Sequence, residues 1–335
     1  MTEELAIVIG TSNTSIYLPG NGIVLHEPTM VAYNGDSKLG KVRAVGKTAS
    51  FMSGRITENT TLSYPVTGGF ISDPDACRDM LTEFLKKLFR PRLFAPKFKA
   101  IVGVPIGLTI EERRFYDDVF SKSGINEIIA IENIVLSAIG IDLPVHSHKV
   151  NLIVNVGGGI TEIAAISSSG IIKGCNLSIG GNLMDKAFRD YLLGKYNLKL
   201  GMSSIAKAKE EIGSLYANDT ASMWVNGMDL NVHAPSGLNV KATDFMDALM
   251  PYYLRIADGI DSVIKSLSIE SGADLTSGGV HIVGGGSKIP GLAKLLAERL
   301  NMLVTVHPDA EYANVLGGGK LLSNPVLLNE ILTQR

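Results

Sequence analysis

Val8-Ile9-Gly10-Thr11-Ser12-Asn13-Thr14-Ser15-Ile16 and Asn155-Val156-Gly157-Gly158-Gly159-Ile160-Thr161-Glu162-Ile163 share one design. In each, an apolar run enters a Gly-containing turn and leaves as an alternating segment, the pattern of a β-hairpin with an exposed tip. Glycine lets the main chain come close to a ligand, and the N–H groups of such a tip favour negative charge. Two facing tips would grip a polyphosphate from both sides. For either segment alone the bland alternative is a tight turn and nothing more, and it is the pairing that carries the anion reading.

The elements that must position these tips are doubled as well. Ala100-Ile101-Val102-Gly103-Val104-Pro105 and His281-Ile282-Val283-Gly284-Gly285-Gly286 each end a buried strand and lead into a helix. Two halves of this kind describe a duplicated α/β protein with a cleft between them. Asp73-Pro74 marks a helix start, a capping side chain followed by proline at the first helical position. Helices are expected over 111–121, 134–140, 184–193, 203–216, 291–300 and 314–322, with a small β unit over 223–239. Pro251 is expected to divide two helical stretches, one ending at Met250 and one running to Leu267.

Composition narrows the function classes. A chain of 335 residues, 45% hydrophobic and 19% charged, has material for a large core and more than one domain. A formal net charge of -2 gives no reason to expect nucleic acid as a partner. Two cysteines, Cys77 and Cys175, suit a reducing compartment and no disulfide framework. Strand-like Leu5-Ala6-Ile7-Val8-Ile9 begins almost at once, which leaves little room for a signal peptide, and no apolar run reaches membrane-spanning length. A soluble cytoplasmic protein is the expectation.

Gly10-Thr11-Ser12-Asn13-Thr14, Gly22-Ile23-Val24-Leu25-His26-Glu27-Pro28, Gly69-Phe70-Ile71-Ser72-Asp73, Val104-Pro105-Ile106-Gly107 with Glu112-Arg113-Arg114, Ser137-Ala138-Ile139-Gly140, Gly157-Gly158-Gly159-Ile160-Thr161-Glu162, Lys195-Tyr196-Asn197-Leu198 and Glu211-Ile212-Gly213-Ser214 form a collinear series. In order and spacing this series resembles the MreB family of bacterial actins, over nearly the whole chain. The resemblance implies an α/β actin-like fold of two duplicated domains around a nucleotide cleft, each with a smaller inserted subdomain. The halves are placed at 1–148 and 149–335, with the small subdomains near 33–64 and 182–242. It further implies an adenine nucleotide, ATP or ADP, and self-assembly into filaments at the inner face of the cytoplasmic membrane that take part in cell-shape determination. MreB paralogues and cell-wall morphogenesis proteins are the implied partners.

Carried over residue by residue, the phosphate contacts fall on Gly10, Thr11, Ser12 and Asn13 and on Gly157, Gly158, Gly159 and Thr161. The adenosine contacts fall on Lys209 and Glu210 and on the turn Gly284-Gly285-Gly286-Ser287. Leu93 and Phe94, between Arg90, Arg92, Lys97 and Lys99, match the family's membrane loop; folding back over the helix end is their alternative. The departures concern acids. Val8 and Asn155 stand where the family carries Asp in its two phosphate loops, Ile160 replaces a Thr, and Asn133 replaces the Glu that orients the attacking water. Carboxylates steady Mg²⁺ and position water, so nucleotide binding is expected to outlast metal dependence and ATP hydrolysis to be lost or very slow. The rival expectations are a working ATPase with substitute groups, a monomeric nucleotide-sensing adaptor and, more distantly, a kinase of the same superfold.

Overall fold

A computed structural model describes residues 2–35, 40–54, 59–89 and 96–334. Its centre is a pair of five-stranded sheets with one topology. The first runs in the order Glu127–Glu132, Lys97–Val104, Thr2–Ile9, Asn13–Leu18, Gly22–Pro28. The second runs Val304–Val306, Val280–Val283, Asn151–Val156, Thr161–Ser167, Gly170–Leu177. In both, the central strand pairs antiparallel with the next strand of its hairpin and parallel with the strand on its other side. The expected hairpins are therefore present, and the same internal bond closes both tips: Gly10 N–H donates to Asn13 O and Gly157 N–H to Ile160 O, each at 2.9 Å.

Continuous burial explains why these strands read as apolar runs. Leu5 to Ile9 and Leu152 to Val154 lie between layers, with helices outside each sheet. A third apolar cluster lies between the halves and joins Ala6, Val8 and Ile101 of one sheet to Ile153, Ala164 and Ile166 of the other. Three short strands with the helix Gly46–Met52 sit on the first half, and a sheet of Leu198–Lys199, Ser222–Asp229 and Ala234–Lys241 on the second.

Helix starts follow local chemistry. Asp73 caps Pro74–Leu88 by accepting from Ala76 N–H, and Thr109 with Glu112 forms a capping box on Ile110–Lys122. Two expectations need correction. Pro251 lies inside one unbroken helix, Ala242–Lys265. It faces solvent, which is open to the carbonyl its missing N–H leaves free, while Phe245, Leu249, Tyr253, Ile256 and Ile260 hold both segments against the core. The helix expected to reach 216 ends as Met202–Ile212, because Gly213 turns the chain so that Leu215 N–H can donate to Pro290 O. The chain crosses back after residue 310, and Ala313–Leu322 packs against Asn133–Gly140 and the first sheet. Pro325–Thr333, with no counterpart in the expected elements, continues from it.

Candidate functional site

A cavity of about 770 Å³ opens between the halves, within the range of small-molecule sites, roughly 300–1,000 Å³. Its floor is made by the two hairpin tips, which touch. A Cβ on Gly158 would lie 2.1 Å from Ser12 Oγ, and one on Gly159 would lie 2.2 Å from Thr11 Oγ1 and 2.7 Å from Gly69 N. Only glycine permits that approach. Gly69 N–H donates to Thr11 Oγ1 at 2.8 Å, and Ser12 Oγ donates to Asn182 Oδ1 at 3.0 Å, so each tip is also tied to its surroundings. The N–H groups of Thr11, Ser12, Gly158 and Gly159 have no hydrogen-bond partner among the described residues. Four free donors at the bottom of a cleft make a nest for an anion.

Gly10, Thr11, Ser12, Asn13, Gly157, Gly158, Gly159, Lys209, Glu210, Gly284, Gly285 and Gly286 all border this cavity. Thr161 and Ser287, expected beside them, do not. Thr161 is fully buried and donates to Ile179 O, and buried Ser287 donates to Gly284 O. Both hydroxyls hold the turns that carry the site. Gly284 adopts φ 87°, and a Cβ there would stand 2.4 Å from Val156 O, so that turn is glycine by steric necessity. Lys209 is committed: its Nζ lies 2.6 Å from Asp185 Oδ1 and donates to Gly181 O. Burial pushes the Asp185 carboxyl upward, and Lys209 opposes that shift. Leu93 and Phe94 fall outside the described residues, as do Arg90 and Arg92.

The three positions that lack acids converge. Val8, 4% exposed, belongs to the apolar cluster between the halves, and a Cβ on Gly103 would meet both its Cγ2 and Asn133 Oδ1. Asn133 Oδ1 is buried without a partner. Asn155 donates through Nδ2 to Glu162 Oε2 at 3.0 Å. The donor set does not fit a divalent cation: one position is aliphatic, one amide is engaged with Glu162, and no group of three ligating side chains occurs among the described residues.

Sequence reasoning quoted Glu162 in a motif but gave it no role. It is 1% exposed and borders the cavity, its Oε1 accepts from Ile106 N–H of the other half at 3.2 Å, and burial pushes its carboxyl up to about 7. An acid inside an otherwise apolar strand was the available signal. Across the cleft, His26 Nε2 lies 3.2 Å from Glu311, which also pairs with Lys288, while Ser15 bonds the other ring nitrogen. The hydrogen bond from His26, helped by Lys288, holds Glu311 down to about 2 against the opposing effect of its burial.

This geometry belongs to a known group of proteins. A model of the MreB/Mbl protein family matches residues 2–330. The chain belongs to the MreB/Mbl family. The cell shape-determining protein MreB of Escherichia coli (strain K12) is 32% identical over 324 residues, covering 96% of this chain and 93% of that protein. Among solved structures, MreB5 of Spiroplasma citri bound to ADP matches with TM-score 0.90 at 25% identity, covering 98% of each chain. The MamK double helical filament matches with TM-score 0.81 at 21% identity, covering 97% of this chain and 99% of that one. The actin-like fold of this MreB/Mbl chain is thus shared with both, and its relatives include proteins named for determining cell shape.

Proposed function

We propose that this chain is a filament-forming bacterial actin that binds an adenine nucleotide in the interdomain cleft and hydrolyses it very slowly or not at all. The observation that carries this is the facing pair of hairpin tips, with four unpartnered N–H groups, in a cleft whose three acid positions hold Val8, Asn133 and Asn155. The nest offers the phosphates main-chain donors. Gly284 to Gly286, Glu210 and Tyr253 border the space left for the nucleoside. A bound adenine nucleotide would supply phosphate charge and a ring to this cleft; the chain's own residues would hold and bury it. The structural relatives support the reading, one solved with ADP and one as a filament.

Neither Asn133 nor Glu162 stands ready to activate water. Asn133 offers an amide without basic character, and Glu162 has both oxygens engaged by Asn155 and Ile106. Steady phosphate release from pure protein is therefore expected at background. The triple change Val8→Asp, Asn133→Glu, Asn155→Asp should raise it at least tenfold with Mg²⁺ present, and no single change should do so, since groups acting as one unit are strongly non-additive. Rapid release by the parent protein would overturn the hydrolysis part of the proposal and favour a working ATPase with substitute groups. Sedimentation that finds only monomer, at every concentration and nucleotide condition, would favour the adaptor.

A further inference from the structure

We propose that the cleft takes up a proton on Glu162 when it binds a nucleotide polyphosphate, and that this proton supplies charge compensation that the cleft's side chains do not offer through a metal. The inference rests on the nucleotide reading above and deepens it. Its first ground is the charge already in the cleft. Among the described residues, Lys209 and Lys288 are the lysines bordering it, and they are matched to Asp185 and Glu311; His26 is held by that same Glu311, and Glu162 and Glu210 are acids in addition. A polyphosphate adds several negative charges to an already acidic lining. The second ground is the misfit of the donor set with a divalent cation.

The third ground is Glu162 itself. Its contacts are neutral donors, Asn155 Nδ2 on the neighbouring strand and Ile106 N–H from the opposite half. Around it stand Asn176, which donates to Ile106 O, and Tyr116; Glu132, the nearest other carboxylate acting on it, is paired with Arg113. No cation among the described residues touches it. Burial, with a smaller push from Glu132, raises its pKa to about 7 against the lowering hydrogen bonds from Asn155 and Ile106. Phosphate charge arriving in the same low-dielectric cleft further disfavours the carboxylate. Protonation removes that charge and turns an acceptor-only group into one that also carries an O–H donor. The proton comes from solvent, and no covalent bond changes. The equivalent position of the first hairpin holds Ser15, which is neutral, so the compensation falls on one side of the cleft.

Calorimetric titration with ADP in EDTA, repeated in buffers of different ionisation enthalpy, reads proton uptake directly. For the parent protein near pH 7.5 we expect uptake of a large fraction of one proton per ADP, and affinity that falls by up to about tenfold per pH unit from pH 7 to 8.5. Glu162→Gln should bind ADP with uptake reduced by that fraction and with a correspondingly flatter profile. ADP has a titrating phosphate of its own, so uptake that persists undiminished in Glu162→Gln belongs to the ligand and overturns the proposal. A flat profile in the parent overturns it too, leaving nucleotide binding intact. Absence of ADP binding by the folded parent at every pH overturns the nucleotide reading together with it. Asn155→Asp is a second variant: it places a carboxylate against Glu162 Oε2, so the parent-type profile should move up by a pH unit or more, and an unmoved profile counts against the proposal.

Discussion

Glu162 is buried without a cation, so its charge costs the folded state whether or not a ligand is present. Its folded pKa, about 7, lies above the ordinary 4.5. The folded form therefore keeps a proton that the unfolded chain releases, and the associated stability is full below about pH 4.5 and lost as pH rises to about 7. Glutamine has no charge to bury. Urea unfolding of Glu162→Gln and of the parent, compared at pH 5 and pH 8, should show the difference moving in favour of the variant by on the order of 3 kcal/mol. A difference independent of pH would mean that Glu162 is ionised at ordinary cost. Glu311 has the opposite sign: held down to about 2, it contributes above about pH 4.5 and loses that contribution as pH falls toward 2, outside this window. Burial also lowers the His281 and His307 pKa values, an effect common to both proteins.

Two helices cross at nearly bare backbone where the halves join. A Cβ on Gly140, at the end of Asn133–Gly140, would lie 1.8 Å from Ala313 O, and one on Gly317 of Ala313–Leu322 would lie 1.8 Å from Leu136 O. Gly318 and Gly319 meet Ala6 and Tyr17 of the first sheet in the same way. The stripe of small residues fixes how far apart the helices sit, and thus where Asn133 enters the cleft. Overpacking of a core costs about 1–3 kcal/mol, and here the obstacle is backbone, which yields least. Gly317→Ala should lower unfolding free energy by at least about 2 kcal/mol in a denaturant titration. Gly194→Ala is the control, a helical glycine with nothing within 4 Å of its missing Cβ. It should stabilise by about 0.4–1 kcal/mol. Equal effects from the two changes would contradict the close crossing.

At the scale of the whole molecule, head-to-tail association between copies is heterologous and does not close, so it yields open filaments. If hydrolysis is lost as proposed, pelleting should depend strongly on protein concentration and only weakly on whether ATP or ADP is supplied. Membrane attachment would then be shared among subunits. Burying Leu93 and Phe94 in lipid offers roughly 3–6 kcal/mol per subunit, too little to hold one copy firmly, while a filament adds many such loops. Leu93→Ser with Phe94→Ser should abolish flotation with anionic liposomes and leave pelleting unchanged. Flotation equal to that of the parent would exclude this loop as the anchor. No helix among the described residues is long and apolar enough to cross a membrane.

The hairpin tips, their duplication and the glycine turn at 284–286 were legible in the chain because each depends on local spacing: alternation sets a strand, and glycine sets a turn whatever surrounds it. The missing acids at Val8, Asn133 and Asn155 were legible too, since position within a motif identifies them. The partners of these side chains were not legible, because burial and pairing are made by segments far apart in sequence. Lys209 reads as an adenosine contact until Asp185 is brought beside it and takes its charge. Thr161 and Ser287 read as ligand hydroxyls until Ile179 O and Gly284 O take their bonds. Pro251 reads as a helix break until the core on both sides holds the helix through it. Glu162 reads as one letter of a motif, and only the closing of Ile106 over it from the other half makes it a buried carboxylate. Local chemistry chose the elements, and desolvation by distant segments chose which of their side chains carry charge.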